Sequence, residues 1–536
     1  MNQENTNKKV PKNKKLSRRN FLGKTATAAA AFTIIPRYAM GGKGYTAPSD
    51  LINVAGIGVG SQGGGDIQQI CTPDVVIVRP QRNMNGTPMT KEQIAAQEAR
   101  RAEMMKRNPQ QGAPGQGAPP QGAPGQGGQR PAGQGRQGTD TNAIVQMGDA
   151  QAGRVIKLAN IYAICDIDPN YSGHIIKGYP KAKIYSDWRE MLEKEKSIDA
   201  VVIGTPDHNH APIAAAFMRA GKHVYIEKPM AKTITECRKL AQLAKENNVV
   251  TQMGNQGHAT EGTRKTVEWI QSGVIGLVRE VQLSTNRPMG FWPQGDIKRP
   301  AGIPVPKNVN YDVWLGPAPE KPYNPEAFHF NWRGLWDYGT GAMGDMGAHI
   351  FDAPIWALNL GMPTKIQATS SPYSTDYMPL CELVTYEFPA RGYMPPVKVT
   401  WCDGGLRPPR PETLEAGRAM KDATYYGDKG IITHGSHGAM PELIPANNDF
   451  KGPDAWLPRT GNIFEDWIDA IKNGKKSCND FSISSKLTEI MLLTNIAVKN
   501  QRTNITLEYD AANMKITNLP EANDLFQYEY RKGWSL

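Results

Sequence analysis

Three groups of residues have types and spacings that can carry chemistry. In GDMGAHIFD, Asp345, His349 and Asp352 stand at i, i+4 and i+7, so a helix here places all three on one face. A carboxylate beside an imidazole at that spacing is suited to moving a proton. The same stripe also fits a buried hydrogen-bonded set, a solvated face, or half of a metal site. No complementary ligand cluster accompanies it, so no metal is expected. The second group is Gly58-x-Gly60-x-x-Gly63, with Ser61 and Gln62 inside the turn, directly after the apolar run Ile52 to Ile57. The first glycine permits a tight turn, the second lets backbone approach a pyrophosphate, and the third lets the following helix pack close to the strand. The third group is a series of short motifs: GTPDHNH (204–210), EKP (227–229) and GNQGH (254–258).

These motifs need strands to present them. Ala200 to Ile203, His223 to Ile226 and Val249 to Met253 are apolar runs separated by helical patterns. Such alternation predicts a doubly wound parallel sheet, whose ligands bind at the carboxyl ends of the strands, where all three motifs fall. A second strand ending in an acidic residue is expected about 20 positions after the glycines, where a carboxylate binds ribose hydroxyls. It appears instead at Ile161 to Cys165, running into Asp166 and Asp168. Removing the intervening Gly/Pro/Gln-rich segment restores the spacing. Asp166 is therefore read as the ribose ligand, which favours NAD over NADP because a carboxylate repels a 2′-phosphate.

That segment repeats GAPGQG at 112–117 and 122–127 and has almost no apolar residue to bury. Such a composition cannot offset its ordering entropy, so a disordered insert is expected over 79–150, with the stretch TKEQIAAQEARRAEMMKR ahead of the repeats read as a solvated charged helix. A tolerated surface-loop insertion is the favoured reading over a tether or partner-binding arm. The chain has 536 residues, 39% of them hydrophobic, enough for two domains plus extras. Much of the +11 formal charge lies in the N-terminal tail and around Arg79 to Arg136. No nucleic-acid partner is expected. Six cysteines include no C-x-x-C pair and indicate no disulfide pairing.

At the N-terminus, SRRNFLG (17–23) follows a basic run and precedes the weakly apolar KTATAAAAFTIIP, too short to span a membrane. This layout resembles a twin-arginine export signal, a route for proteins already folded, with periplasmic location and the export machinery as a partner. No clear small-x-small cleavage site follows, so release and tethering both stay open.

The ordered set Gly58-x-Gly60-x-x-Gly63, Thr205-Pro206 with His210, and Glu227-Lys228-Pro229 resembles the Gfo/Idh/MocA oxidoreductases, the family of glucose-fructose oxidoreductase and inositol dehydrogenase. The resemblance implies an α/β protein. Its parts are a signal region (1–40), a Rossmann NAD-binding domain (50–255) carrying the insert, and a C-terminal α/β domain (256–536) with an open, mostly antiparallel sheet. That sheet would cover the nicotinamide end of the cleft and serve as an interface in a homo-oligomer. The implied cofactor contacts are Gly58, Gly60, Ser61, Gln62, Gly63, Asp166, Thr205, Pro206, His210, Glu227 and Lys228, and the implied catalytic residues are Lys228, Asp345 and His349. In this assignment His349 is the general base, Lys228 stabilises an alkoxide and relays its proton, and Asp345 orients substrate, with the roles of Lys228 and His349 exchangeable. His258, Arg333 and Trp336 are candidate sugar contacts, each equally compatible with a structural role.

An exported enzyme of this kind would fold around NAD and keep it tightly bound. Three readings follow: a dehydrogenase acting on a sugar or glycoside hydroxyl; a redox-neutral glycosidase working by oxidation, elimination, hydration and reduction; and a non-catalytic carbohydrate-binding protein. Retention of Lys228, Asp345 and His349 together argues against the last.

Overall fold

The computed structural model describes residues 51–77, 80–83, 88–96, 99, 155–447 and 449–536. The twin-arginine region and the Gly/Pro/Gln-rich repeats lie outside the described residues; of the expected charged helix, 91–96 are helical. No helix among the described residues is long and apolar enough to cross a membrane.

Strands β1 (Asn53–Ile57), β2 (Asn160–Cys165), β3 (Lys183–Tyr185), β4 (Ala200–Ile203), β5 (His223–Ile226) and β6 (Thr251–Met253) form one sheet, ordered β3-β2-β1-β4-β5-β6 and parallel throughout. The sequence AVVI of β4 is buried at every position because helices cover both faces, which removes any need for polar alternation. Strand order reverses between β1 and β4, and a crevice opens above their carboxyl ends. Helix α1 (Gln62–Ile70) follows β1; α2 (Pro169–Gly178) follows β2, its first turn capped by the Asp168 carboxylate, which accepts from the Asn170 and Tyr171 amides at 3.0 and 3.2 Å. Helix α3 (Asp207–Arg219) starts at the end of GTPD, and α4 (Ile234–Glu246) opens with a reciprocal Thr233/Glu236 capping box.

The insert leaves and returns at one place. Thr72 N donates to Ile156 O (2.8 Å), Ile156 N to Thr72 Oγ1 (2.7 Å), and Leu158 N to Ile70 O (2.9 Å). This clasp lets β1 and β2 pair as if nothing separated them.

The second sheet has nine strands. β7 (Val278–Ser284), β8 (Lys365–Ser370), β9 (Glu382–Phe388), β10 (Val397–Cys402), β11 (Ala423–Gly427), β12 (Gly430–His434), β13 (Glu442–Ile444), β14 (Leu507–Asp510) and β15 (Lys515–Ile516) run in the order β13-β12-β11-β7-β10-β9-β8-β14-β15. Only the β7/β10 pair is parallel. Alternate burial along β8 to β10 leaves one face covered, where Val384, Tyr386, Val399 and Trp401 pack under α6 (Phe481–Asn500). Helix α5 (Ile463–Asn473), late in the sequence, turns back to the first sheet, and its Phe464, Trp467 and Ile468 share a core with Val54, Ile67 and Tyr225. All six cysteines are free thiols.

Candidate active site

One cleft of ≈ 440 Å³ runs from the glycine turn after β1 to the start of the second sheet. At its first end, Gly58 has φ +74°, a left-handed conformation that side chains disfavour. A Cβ on Gly63 would lie 2.5 Å from the Gly58 carbonyl oxygen, so the third glycine is needed for α1 to approach the strand. Ser61 and Gln62 line the same end. Asp166 reaches across from the end of β2, accepting from the Gly60 amide at 3.0 Å and from the Asp168 amide at 3.0 Å. Burial pushes its carboxyl up to about 6. Thr205, Pro206 and Glu227 line the middle, and the buried Thr205 hydroxyl has no hydrogen-bond partner among the described residues. A dinucleotide fits this arrangement: the turn offers backbone to phosphate, Asp166 offers a carboxylate to ribose, and Thr205 offers an unsatisfied hydroxyl.

His210 does not line the cleft. Its ring is buried between two carbonyls, Nδ1 facing Pro229 O at 2.8 Å and Nε2 facing Thr205 O at 2.9 Å. It ties the Thr205-Pro206 turn to the Glu227-Lys228-Pro229 loop and so positions cofactor contacts without being one.

At the other end, Lys228 and Asp345 meet. Lys228 Nζ donates to the Asp345 carboxylate and to its main-chain carbonyl, both at 2.8 Å. Arg333 Nε stands 3.5 Å from one carboxylate oxygen and Arg287 Nη1 3.6 Å from the other. Burial alone would raise the Asp345 carboxyl, but Lys228, Arg333 and Arg287 override it and hold the group well below the usual carboxylate range. His349 is oppositely placed: burial, with His437 and Lys228 nearby, drives its imidazole well below the ordinary value. It is therefore neutral, and its buried Nδ1 has no hydrogen-bond partner among the described residues.

The helix carrying these residues is not a plain α-helix. Met343–Gly347 forms a π-turn, followed by α-helical Ala348–Ile350 and Asp352–Ala357. Asp345 and His349 line the cleft, whereas Asp352 turns away and pairs with His258 Nδ1 at 2.9 Å, so the expected three-residue stripe is split. His258 is thereby withdrawn from the candidate sugar contacts: it is buried, bound to Asp352 and stacked on Trp356. Trp336 is withdrawn too, since it sits in the core against Tyr373 with Lys499 Nζ over its ring at 4.6 Å. Arg333 does line the cleft, stacked over Phe330 and Trp332.

Among the cleft residues not singled out from the sequence are Arg287, Asp207 and His437. Arg287 comes from the loop after β7, its guanidinium 3.3 Å from the Phe291 ring centroid. Asp207 starts α3 and accepts from Thr340 Oγ1 at 2.5 Å. His437, from the loop after β12, stacks on His349 with ring centroids 3.9 Å apart. Arg287 and His437 belong to no recognisable spacing, although the glycine-flanked GSHG around His437 is a visible signal, and Asp207 lies inside the GTPDHNH motif.

Residues 132–255 match the model of the Gfo/Idh/MocA oxidoreductase family, NAD-binding Rossmann fold, and residues 260–392 match that of its C-terminal alpha/beta domain. Over these two stretches the chain carries both domains of this oxidoreductase family. The first match begins downstream of the glycine turn, which the insert separates from β2. Among curated relatives, a levoglucosan dehydrogenase of Pseudarthrobacter phenanthrenivorans is 30% identical over 22% of this chain and 29% of its own length. A glycosyl hydrolase family 109 protein of Shewanella pealeana is 30% identical over 22% and 27%. The chain thus spans less than a third of either relative's length. Among solved structures, aldose-aldose oxidoreductase from Caulobacter crescentus, complexed with glycerol, superposes with a TM-score of 0.43 at 16% identity, covering 66% of this chain and 92% of that one.

Proposed function

We propose that the protein is an NAD-dependent oxidoreductase that removes hydride from a ring hydroxyl carbon of a sugar or glycoside, with the cofactor held tightly in the cleft. The observation that carries this reading is the convergence of Lys228, Asp345 and His349 at one end of a cleft whose other end is the glycine turn and Asp166. When bound, the nicotinamide supplies the hydride acceptor. Everything else falls to the chain's own residues. Neutral His349, whose ring nitrogens have no hydrogen-bond partner among the described residues, takes the proton of the hydroxyl under oxidation. Lys228, two of whose three donors are fixed on Asp345, directs its charge at the developing alkoxide. Asp345 stays ionised among three cations and cannot act as the base; it anchors Lys228 and accepts a neighbouring substrate hydroxyl.

Redox-neutral glycoside hydrolysis is a second reading, favoured by the similarity to the glycosyl hydrolase family 109 protein. Native mass spectrometry of the purified protein with an aryl glycoside panel tests both. Retained NAD with a keto-sugar and accumulating NADH supports the dehydrogenase; retained NAD, released aglycone and no lasting NADH supports the hydrolase; absence of bound NAD would sink both.

The export proposal rests on Arg18-Arg19 and the flanking basic and weakly apolar runs. Replacing both arginines by lysine should trap the protein in the cytoplasm, and unchanged fractionation would contradict it. Folding around NAD before export explains why a folded-protein route suits this chain. Homo-oligomers built on the open face of the nine-stranded sheet remain part of the proposal.

A further inference from the structure

His437 is held in the left-handed region, which few non-glycine residues adopt. Its φ is +59°, and among the described residues the other non-glycine positions with positive φ are Asn248, His329, Asn359, Asn504 and Met514. Asparagine tolerates this region through its short polar side chain, and both histidines line the cleft. Glycine would adopt this backbone without strain, and the position carries an imidazole instead.

The loop bearing it is firmly docked. Thr260 Oγ1 donates to Gly438 O at 2.9 Å, and Ser436 N donates to Asp422 Oδ2 at 2.8 Å. A Cβ on Gly257 would come within 2.8 Å of the His437 carbonyl carbon, so the GNQGH loop is shaped to admit it. The ring stacks on His349 at 3.9 Å with an interplanar angle of 24°. Nδ1 meets Ser436 Oγ at 2.9 Å, while Nε2 has no hydrogen-bond partner among the described residues. Burial and Lys228 lower the imidazole to about 4, so at neutral pH both stacked rings are uncharged, and among the described residues His437 Nε2 and both ring nitrogens of His349 are without a hydrogen-bond partner and can donate or accept according to tautomer.

We propose that His437 is a substrate-binding residue that, with His349, reads two adjacent hydroxyls, so that the substrate is a sugar or cyclitol carrying a free vicinal diol at the carbon oxidised. Two parallel imidazoles at stacking distance present polar edges on the same scale as neighbouring ring hydroxyls. His349 takes the hydroxyl that loses its proton; His437 holds the one beside it. This deepens the oxidoreductase reading and rests on it.

The test uses NADH-loaded protein and methyl glucosides, methyl galactosides and myo-inositol, each with deoxy analogues lacking one ring hydroxyl. Binding is read from quenching of tryptophan fluorescence, and turnover from NADH formation by the NAD-loaded form. The wild type should bind a parent sugar roughly tenfold more tightly than the analogue lacking the flanking hydroxyl, the worth of one neutral hydrogen bond. His437→Phe, which keeps the stacking surface, should bind both at the weaker level. His437→Asn, which accepts the backbone conformation and keeps a polar group, should recover part of the discrimination and guards against misfolding of the Phe variant. Discrimination that persists in His437→Phe, absence of discrimination in the wild type, or failure of every parent to bind would overturn the proposal. Discrimination lost in His437→Phe, with no cofactor reduction by any sugar, would instead refute the dehydrogenase reading and leave the role of His437 standing.

Discussion

Replacing Asp345 by Asn preserves volume and removes the one carboxylate that touches Lys228, Arg287 and Arg333, at 2.8, 3.6 and 3.5 Å. The Lys228 and Asp345 side chains are 14% and 9% exposed, so solvent screens the loss poorly. Breaking one partner of a buried pair costs about 3–5 kcal/mol. Lys228 would keep its bond to the main-chain carbonyl of residue 345, which places the expected loss at the low end, about 3 kcal/mol. At about 2 °C per kcal/mol for a large chain, the melting temperature should drop by roughly 6 °C. The pH dependence has a definite sign. A carboxyl held below its unfolded value of about 3.9 contributes stability that is fully present above that pH and is lost as pH falls through the lower folded value. Calorimetry of the NAD-loaded proteins should therefore show a constant gap between wild type and Asp345→Asn from pH 8 to 5, closing only below about 4. Hydride transfer should slow by about 10²-fold because Lys228 is no longer fixed. A variant melting within about 1 °C of wild type, or a gap that widens in acid, would refute the electrostatic account.

His349→Ala should abolish hydride transfer in single-turnover mixing while leaving bound NAD intact by mass spectrometry; an unchanged rate contradicts its role as base. Because Asp166 titrates at about 6 and must be ionised to accept ribose hydroxyls, NAD affinity should fall as pH drops below about 6. Asp166→Asn should lose that dependence and narrow the preference for NAD over NADP, as followed by titration calorimetry. Deleting Pro109 to Gly138 should leave melting temperature and cofactor content unchanged, since the Thr72/Ile156 clasp closes the excursion independently of those residues; a large loss would assign the segment a structural or partner role.

The parts of the site legible in the sequence are those set by local backbone rules. A buried strand followed by spaced glycines leaves little choice of geometry, and Gly58, Gly63 and Asp166 stand where that pattern puts them. Lys228, Asp345 and His349 were legible as motif residues, and the fold brings them to one end of the cleft. Residues whose place depends on long-range packing were not. The resemblance implies His210 as a cofactor contact and His258 stands as a candidate sugar contact, but tertiary partners at Thr205, Pro229 and Asp352 claim their nitrogens. The π-turn at Met343–Gly347 shifts the helical phase by one residue, which a regular 3.6-residue spacing does not anticipate, and so Asp352 parts from Asp345 and His349. Arg287 and His437 arrive from loops of the second sheet, and only the folded chain sets them against Asp345 and His349. Helix α5 carries the same lesson for the fold: an amphipathic helix near the end of the chain completes the core of the first sheet, a pairing that no local pattern encodes.

Under the proposed function, this cleft passes hydride from a sugar hydroxyl carbon to bound NAD. The most direct test is rapid mixing of the NAD-loaded protein with a turned-over sugar, unlabelled and deuterated at its ring carbons, while following cofactor reduction. Reduction that slows by a primary isotope effect at one labelled carbon is the predicted result, lasting if the protein is a dehydrogenase and transient if it is a redox-neutral glycosidase. Product formation with no reduction of the bound cofactor, or with no isotope effect at any ring carbon in a rate limited by chemistry, would contradict the claim.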